Sequence, residues 1–242
     1  ITKMLKQYGM WDNTLLVYVS DNGGTFGGNN YPLRGAKMSH FDGGLRVVGL
    51  VNGGFLPENA RQRKLEGYVH VSDWYATFGY LAGYDPVDND AGGAPPVDSI
   101  NVWPYLEGTS TESPRQEIIL GCHDDSKGHA GALISGEWKL LVGYEYRHGW
   151  STLETMPKDG DDWAGIMNCS HGCLFQIFED PEERTDVATS KLKVHKSLWD
   201  AYTVHCADTF EAPIVGGDSD RCEAFRTDHQ GFVGPYLGDR CG

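Results

Sequence analysis

Hydrophobic positions fall into two regimes along the chain. Near the start they come as short, unbroken, β-branched runs. Leu15-Leu16-Val17-Tyr18-Val19 ends abruptly at Ser20-Asp21-Asn22-Gly23-Gly24. Residues 46–52 form a second such run. Runs this short and this apolar predict strands buried on both faces, the pattern of a parallel sheet in an α/β fold. Ahead of them, Thr2–Tyr8 reads as the closing turns of an amphipathic helix stopped by Gly9. The pattern opens inside that helix with no start signal, so a preceding segment is expected. A further helix is predicted over Asp73–Ala82, with Ser72 as its cap and Gly83 after its end.

Beyond about residue 112 the period changes. Apolar residues then sit in short stretches at 117–121, 131–135, 137–142 and 174–178. Ala132–Ser135 and Trp138–Leu141 face each other across Gly136-Glu137, which reads as a hairpin. Residues 191–206 return to helical spacing at Leu192, His195, Leu198, Trp199 and Tyr202. The expected organisation is α/β over residues 1–112, then a small α+β subdomain over 113–242 with an antiparallel sheet, one helix and a Cys-containing tail. Residues 84–99, rich in Asp, Gly and Pro, predict a surface loop.

Charge narrows the partners. With 34 acidic and 20 basic residues the net charge is −14, which disfavours nucleic acid and anionic membranes, since both are bound by basic patches. No run of apolar residues is long enough to span a bilayer.

The chemistry concentrates where the first strand ends. Asp21 offers a carboxylate and Asn22 an amide oxygen, donors suited to a hard cation such as Ca²⁺ or Mg²⁺. Lys37 follows sixteen residues later on a glycine-rich stretch. A divalent cation and an ammonium that converge would hold a tetrahedral oxyanion, sulfate or phosphate. A plain Asp-Asn-Gly turn after a strand is the competing reading.

The order of residues is more specific than the spacing. Ser20-Asp21-Asn22-Gly23-Gly24, Gly27-Gly28-Asn29-Asn30-Tyr31-Pro32-Leu33-Arg34-Gly35-Ala36-Lys37 and Asp42-Gly43-Gly44-Leu45-Arg46 resemble the sulfatase family, and within it the arylsulfatase B-like group. The resemblance continues at Val69–Trp74, Asp98–Trp103, Gly136–Gly143, Leu174-Phe175 and Glu179–Arg184. It implies an alkaline-phosphatase-like α/β core followed by a smaller carboxyl-terminal subdomain. It also implies a Ca²⁺ site to which Asp21 and Asn22 contribute, Lys37 as a catalytic, sulfate-contacting cation, and a sulfated small molecule or sulfated glycan as substrate. Arg34, Asp42 and Arg46 read as supports for the Lys37 loop.

The family's nucleophile is a formylglycine made from the cysteine of a Cys-x-Pro-x-Arg motif, and that motif is absent. Cys222-Glu223-Ala224-Phe225-Arg226 has alanine for proline and lies downstream of Asp21, not upstream. The chain is therefore expected to be part of a sulfatase, with the remainder of the same polypeptide carrying the nucleophile and further ligands. A noncatalytic, sulfatase-like extracellular binding protein is the alternative. A phosphatase on the same fold is a weaker third reading, since its usual two-metal His-rich ligand set is missing around Asp21.

Six cysteines and the sequon Asn168-Cys169-Ser170 favour an oxidising compartment: secreted, extracellular or endolysosomal. Cys169–Cys173 and Cys222–Cys241 are the expected disulfides, and Asn168 the expected glycosylation site. A zinc site at Cys169, His171 and Cys173 lacks a second ligand pair. His123, Asp124, Asp125 and His129 read as a solvated loop between two strands in preference to a second metal cluster, and His70 as a helix-entry or core histidine in preference to a base. His148 and Trp150 would either line a substrate entrance or pack on the core.

Overall fold

The computed structural model describes residues 1–25, 28–84, 97–124, 130–150, 166–207, 209 and 226–227. Residues 1–209 form one compact unit and 210–242 another. In the first unit the chain runs α1 (Thr2–Gln7), β1 (Leu16–Val19), α2 (Asp42–Leu45), β2 (Gly49–Asn52), α3 (Asp73–Leu81) and α4 (Trp103–Glu107). It continues through β3 (Glu117–Ile119), β4 (Gly131–Ser135), β5 (Trp138–Tyr146), β6 (Ile166–Gln176) and α5 (Leu192–Ala207).

The expected parallel placement of the first strand is corrected. Among the described residues β1 pairs only with β2, antiparallel, with Tyr18 opposite Leu50 and Val17 opposite Val51. Nor is either strand buried on both faces. Leu15 and Val51 pack against the cluster of Leu56, Ala60, Val102, Trp103 and Leu106. The cross-strand pair Tyr18 and Leu50 remains 55% and 46% exposed. The apolar run thus signalled two packable faces, and this chain covers one of them.

The second sheet matches its expected character, with order β3-β4-β5-β6, antiparallel throughout. Period-two alternation splits its side chains between two layers. Leu133, Leu140, Val142 and Leu174 face Leu198 and Tyr202 of α5. Ala132, Ile134, Leu141 and Phe175 face the opposite way and receive Phe41, whose ring meets Phe175 edge-on at 5.8 Å. The β4–β5 turn is the two-residue hairpin read from Gly136-Glu137, with Ser135 opposite Trp138. Strands β5 and β6 run longer than their apolar cores, because polar Glu145, Asn168 and Ser170 continue the ladder region.

Helix α4 escaped the pattern because Pro104 reads as a breaker, although proline is at home in a helix's first turn. At α3 the expected Ser72 side-chain cap is absent. The Ser72 hydroxyl bonds His70 Nδ1 instead. Buried Asp73 organises this corner: it accepts from the His70 and Ile100 amides and pairs with Arg115. Burial lowers the His70 pKa, with the nearby Arg115 charge acting in the same direction. His70 is thus a helix-entry residue.

Of the two expected disulfides, Cys169–Cys173 forms inside β6. This pairing excludes zinc ligation by those thiols. A second bridge joins Cys122 to Cys206, and Cys222 and Cys241 lie outside the described residues.

Candidate functional site

The strand-to-turn geometry at Asp21 follows from backbone contacts. Ser20 extends the ladder by donating to the Val48 carbonyl at 3.1 Å, and Gly23 donates to the Gly44 carbonyl at 2.9 Å. At Gly23 a Cβ would lie 1.7 Å from the Gly43 carbonyl oxygen, so only glycine lets the turn close on the Asp42-Gly43-Gly44 helix. The Asp21 carboxylate accepts from the Asn22 amide at 2.8 Å through Oδ1. The Asn22 side-chain amide donates to the Gly23 carbonyl at 2.9 Å, which fixes the amide plane. Among the described residues nothing donates to the Asn22 side-chain oxygen or to the second Asp21 oxygen.

Those two uncommitted oxygens suit a hard cation, and they are only a fraction of the six to eight such a cation takes. Among the described residues no group of three or more His, Cys, Asp or Glu could hold a metal. The donor set fits Ca²⁺ in kind and falls short in number.

Lys37 is brought to this turn by its main chain. Its amide donates to the Gly24 carbonyl at 3.2 Å, two residues beyond Asn22. Asn30 clips the intervening loop, accepting from the Gly24 amide at 2.8 Å and donating to the Gly24 and Gly35 carbonyls. The Lys37 side chain is exposed, and no described residue bonds its ammonium. Met38 beside it holds φ at +80° and is 73% exposed. A non-glycine residue in this region costs roughly 1–3 kcal/mol and persists only where its surroundings hold it.

What holds it comes from the second sheet. Arg147 donates to the Lys37 carbonyl and to the Thr25 hydroxyl. Gly35 donates to the Gly149 carbonyl at 2.9 Å. His40 donates through its amide to Glu145 Oε2 at 3.0 Å, and its ring contacts Oε1 at 2.8 Å. Arg34 is buried, stacked on Phe41 and Trp150 at 4.2 and 4.4 Å, and donates to the His148 and Glu183 carbonyls. Burial lowers its pKa from the usual arginine value. Asp42 pairs with fully buried Lys139, which also pairs with fully buried Glu183 at 2.7 Å. Burial alone would lower the Lys139 pKa, but the two carboxylates outweigh it and raise the pKa above the usual lysine value. Burial pushes Glu183 up to about 7, opposed by Lys139 and aided by Asp42.

Arg34 and Asp42 therefore support the loop, as their sequence positions suggested. Arg46 is mostly exposed and reaches Asp42 only at 3.9 Å. Sequence reasoning missed Lys139, Glu145 and Glu183, of which only Lys139 lies in a segment that otherwise reads as core. A charge interrupting an apolar strand, as Lys139 does between Trp138 and Leu140, was the available signal. Trp150 lies between Arg34 and Arg184 and donates to the Glu182 carbonyl, which makes it a packing residue. Asn168 is exposed, and its side-chain oxygen accepts from the Ser170 amide at 2.9 Å. His123 donates its amide to the Tyr202 hydroxyl, while Asp125 and His129 lie outside the described residues.

The Sulfatase family profile matches residues 1–84. Over 221 residues the chain is 31% identical to Arylsulfatase J of Mus musculus, covering 82% of this chain and 36% of that protein. The crystal structure of Ps i-CgsB in complex with k-i-k-neocarrahexaose superposes with a TM-score of 0.67 at 26% identity, over 94% of this chain and 44% of that one. The PsFucS1 sulfatase from Pseudoalteromonas sp. shares the fold, with a TM-score of 0.61 at 18% identity over 85% of this chain and 39% of that one. This chain spans little more than a third of the curated relative's length, and over that span it belongs to the sulfatase family.

Proposed function

We propose that this chain is part of a Ca²⁺-dependent sulfatase that hydrolyses a sulfate monoester, aryl or carbohydrate. The observation that carries this is the bond from the Lys37 amide to the Gly24 carbonyl, which seats a cation-bearing loop beside the Asp21-Asn22 turn. Asp21 and Asn22 would hold the metal through their uncommitted oxygens. The cation would neutralise the non-bridging sulfate oxygens that repel a nucleophile. Lys37 holds another sulfate oxygen or the leaving oxygen, its ammonium left free for that contact.

The remaining ligands and the formylglycine nucleophile would come from the rest of the same polypeptide. The exposed cross-strand pair Tyr18 and Leu50 supports this, because a sheet face bearing adjacent large apolar side chains is normally covered. The coverage of only 36% of Arylsulfatase J points the same way. A carbohydrate sulfate is favoured by the likeness to Ps i-CgsB, whose structure holds k-i-k-neocarrahexaose. The two disulfides support a secreted, extracellular or endolysosomal location, with a glycan on Asn168. Among the described residues no helix is long and apolar enough to cross a membrane.

The test is sulfate release by the full-length protein from a chromogenic aryl sulfate and from sulfated oligosaccharides, with and without a Ca²⁺ chelator. Turnover lost on chelation and restored by Ca²⁺ is expected. Binding of a sulfated glycan without any release would overturn the hydrolase and support a noncatalytic binding protein.

A further inference from the structure

We infer that Glu183 is a positioning residue for Lys37: a clasp that closes both ends of the Arg34–Asp42 loop and so fixes the lysine at its midpoint. This rests on the reading of Lys37 as the sulfate-binding cation.

Glu183 reaches the two ends with different atoms. Its main-chain carbonyl accepts from Arg34 Nη1 at 2.7 Å, where the loop begins. Its carboxylate Oε2 accepts from the Asp42 amide at 2.6 Å, where the loop ends. The other oxygen, Oε1, accepts from Lys139 Nζ, which also bonds the Asp42 side chain. One side chain thus ties Asp42 twice, once directly and once through Lys139. Glu183 is fully buried and sits at φ +51°, a left-handed conformation that a non-glycine residue keeps only where contacts hold it.

The loop it closes needs such a clamp. Between Arg34 and Asp42 the chain turns at Met38 in another left-handed conformation. Ser39 binds back on Ala36 through both its amide and its hydroxyl. Phe41 drops from the loop into the face of the second sheet beside Phe175. A loop pinned at both ends and in its centre has one place for Lys37. Releasing either end lets the Met38 turn relax and the ammonium wander. Arg147 and Glu145 hold the same loop from β5 and its exit, so loss of the clasp loosens it without detaching it.

The substitution Glu183→Gln tests this. A glutamine amide puts an NH2 donor where one carboxylate oxygen was, so either Lys139 Nζ or the Asp42 amide would face a donor in place of its acceptor. Asp73→Asn serves as a control: it weakens an equally buried charge pair, with Arg115, that does not touch the loop. Both are made in the full-length protein, and Glu183→Gln is also combined with Lys37→Ala. Amide hydrogen exchange and kcat are then measured.

Glu183→Gln is expected to raise exchange across residues 34–42 and to lower kcat about tenfold to a hundredfold. It should add little further loss once Lys37 is alanine. Asp73→Asn should raise exchange around α3 and leave kcat unchanged. Unchanged exchange over 34–42, or an equal loss of kcat with and without Lys37, overturns the clasp. Should E183Q not fold, Glu183→Asp keeps the charge beside Lys139 but withdraws it from the Asp42 amide, and the same measurements apply. A wild-type protein that releases no sulfate defeats the hydrolase reading alone, and the exchange data still decide the clasp.

Discussion

The amide of Lys37 donates to the carbonyl of Gly24 at 3.2 Å. That single main-chain bond joins the loop carrying the candidate cation to the turn carrying the candidate metal oxygens. Neither side chain takes part in it. The juxtaposition is therefore built into the backbone, and each side chain can be changed without dismantling the site.

Lys37→Ala in the full-length protein follows directly. The side chain is exposed and no described residue binds its ammonium, so thermal stability should stay within about 0.5 kcal/mol of wild type. Turnover of a sulfate ester should fall by about a hundredfold or more, the usual cost of losing a charged group that stabilises a transition state. The paired measurement is kcat against melting temperature. A large loss of stability would show that Lys37 is structural.

Gly23→Ala should do the opposite. The added carbon would meet the Gly43 carbonyl oxygen at 1.7 Å, and both are backbone, so the turn must move. We expect destabilisation of about 3 kcal/mol or more and weakened Ca²⁺ binding, read by denaturant unfolding and by calorimetric titration. Wild-type affinity in this variant would separate the turn from the metal site.

A pH signature is expected from Glu183. Burial raises its pKa to about 7 from 4.5, so the folded state keeps a proton that the unfolded chain releases in that window. Its contribution to stability therefore falls as pH rises from about 4.5 to about 7, and levels off above. Unfolding free energies of wild type and Glu183→Gln, measured across this range, should show their difference shrinking in the wild type's disfavour. A pH-independent difference would contradict this.

The two disulfides differ in the chain they close. Cys122–Cys206 spans 84 residues and Cys169–Cys173 spans four. In the chain-entropy account the first is worth about 4.6 kcal/mol and the second about 2 kcal/mol. Cys122→Ser should lower the melting temperature more than Cys169→Ser. Titration of the unreduced protein should find at most two free thiols among its six cysteines.

Most of the elements, and the candidate turn at Asp21-Asn22, were legible in the residue order. Short apolar stretches marked β4 and β5, helical spacing marked α5, and Gly136-Glu137 marked the hairpin between the strands. These are local signals, read from residues a few positions apart. The run Ser20–Gly24 was also legible locally, through the order of its residues and of those up to Lys37 rather than through the Asp-Asn-Gly turn alone.

What stands around them came from the fold. It paired β1 antiparallel with β2 and left Tyr18 and Leu50 open, since an apolar run says that a face can be buried and not which segment buries it. It joined Cys122 to Cys206, a choice among partners that spacing cannot make. It also brought Lys139 and Glu183, roughly a hundred residues or more downstream, onto Asp42. Such a triad leaves no periodic trace, because a buried charge is satisfied by partners that the fold alone brings near.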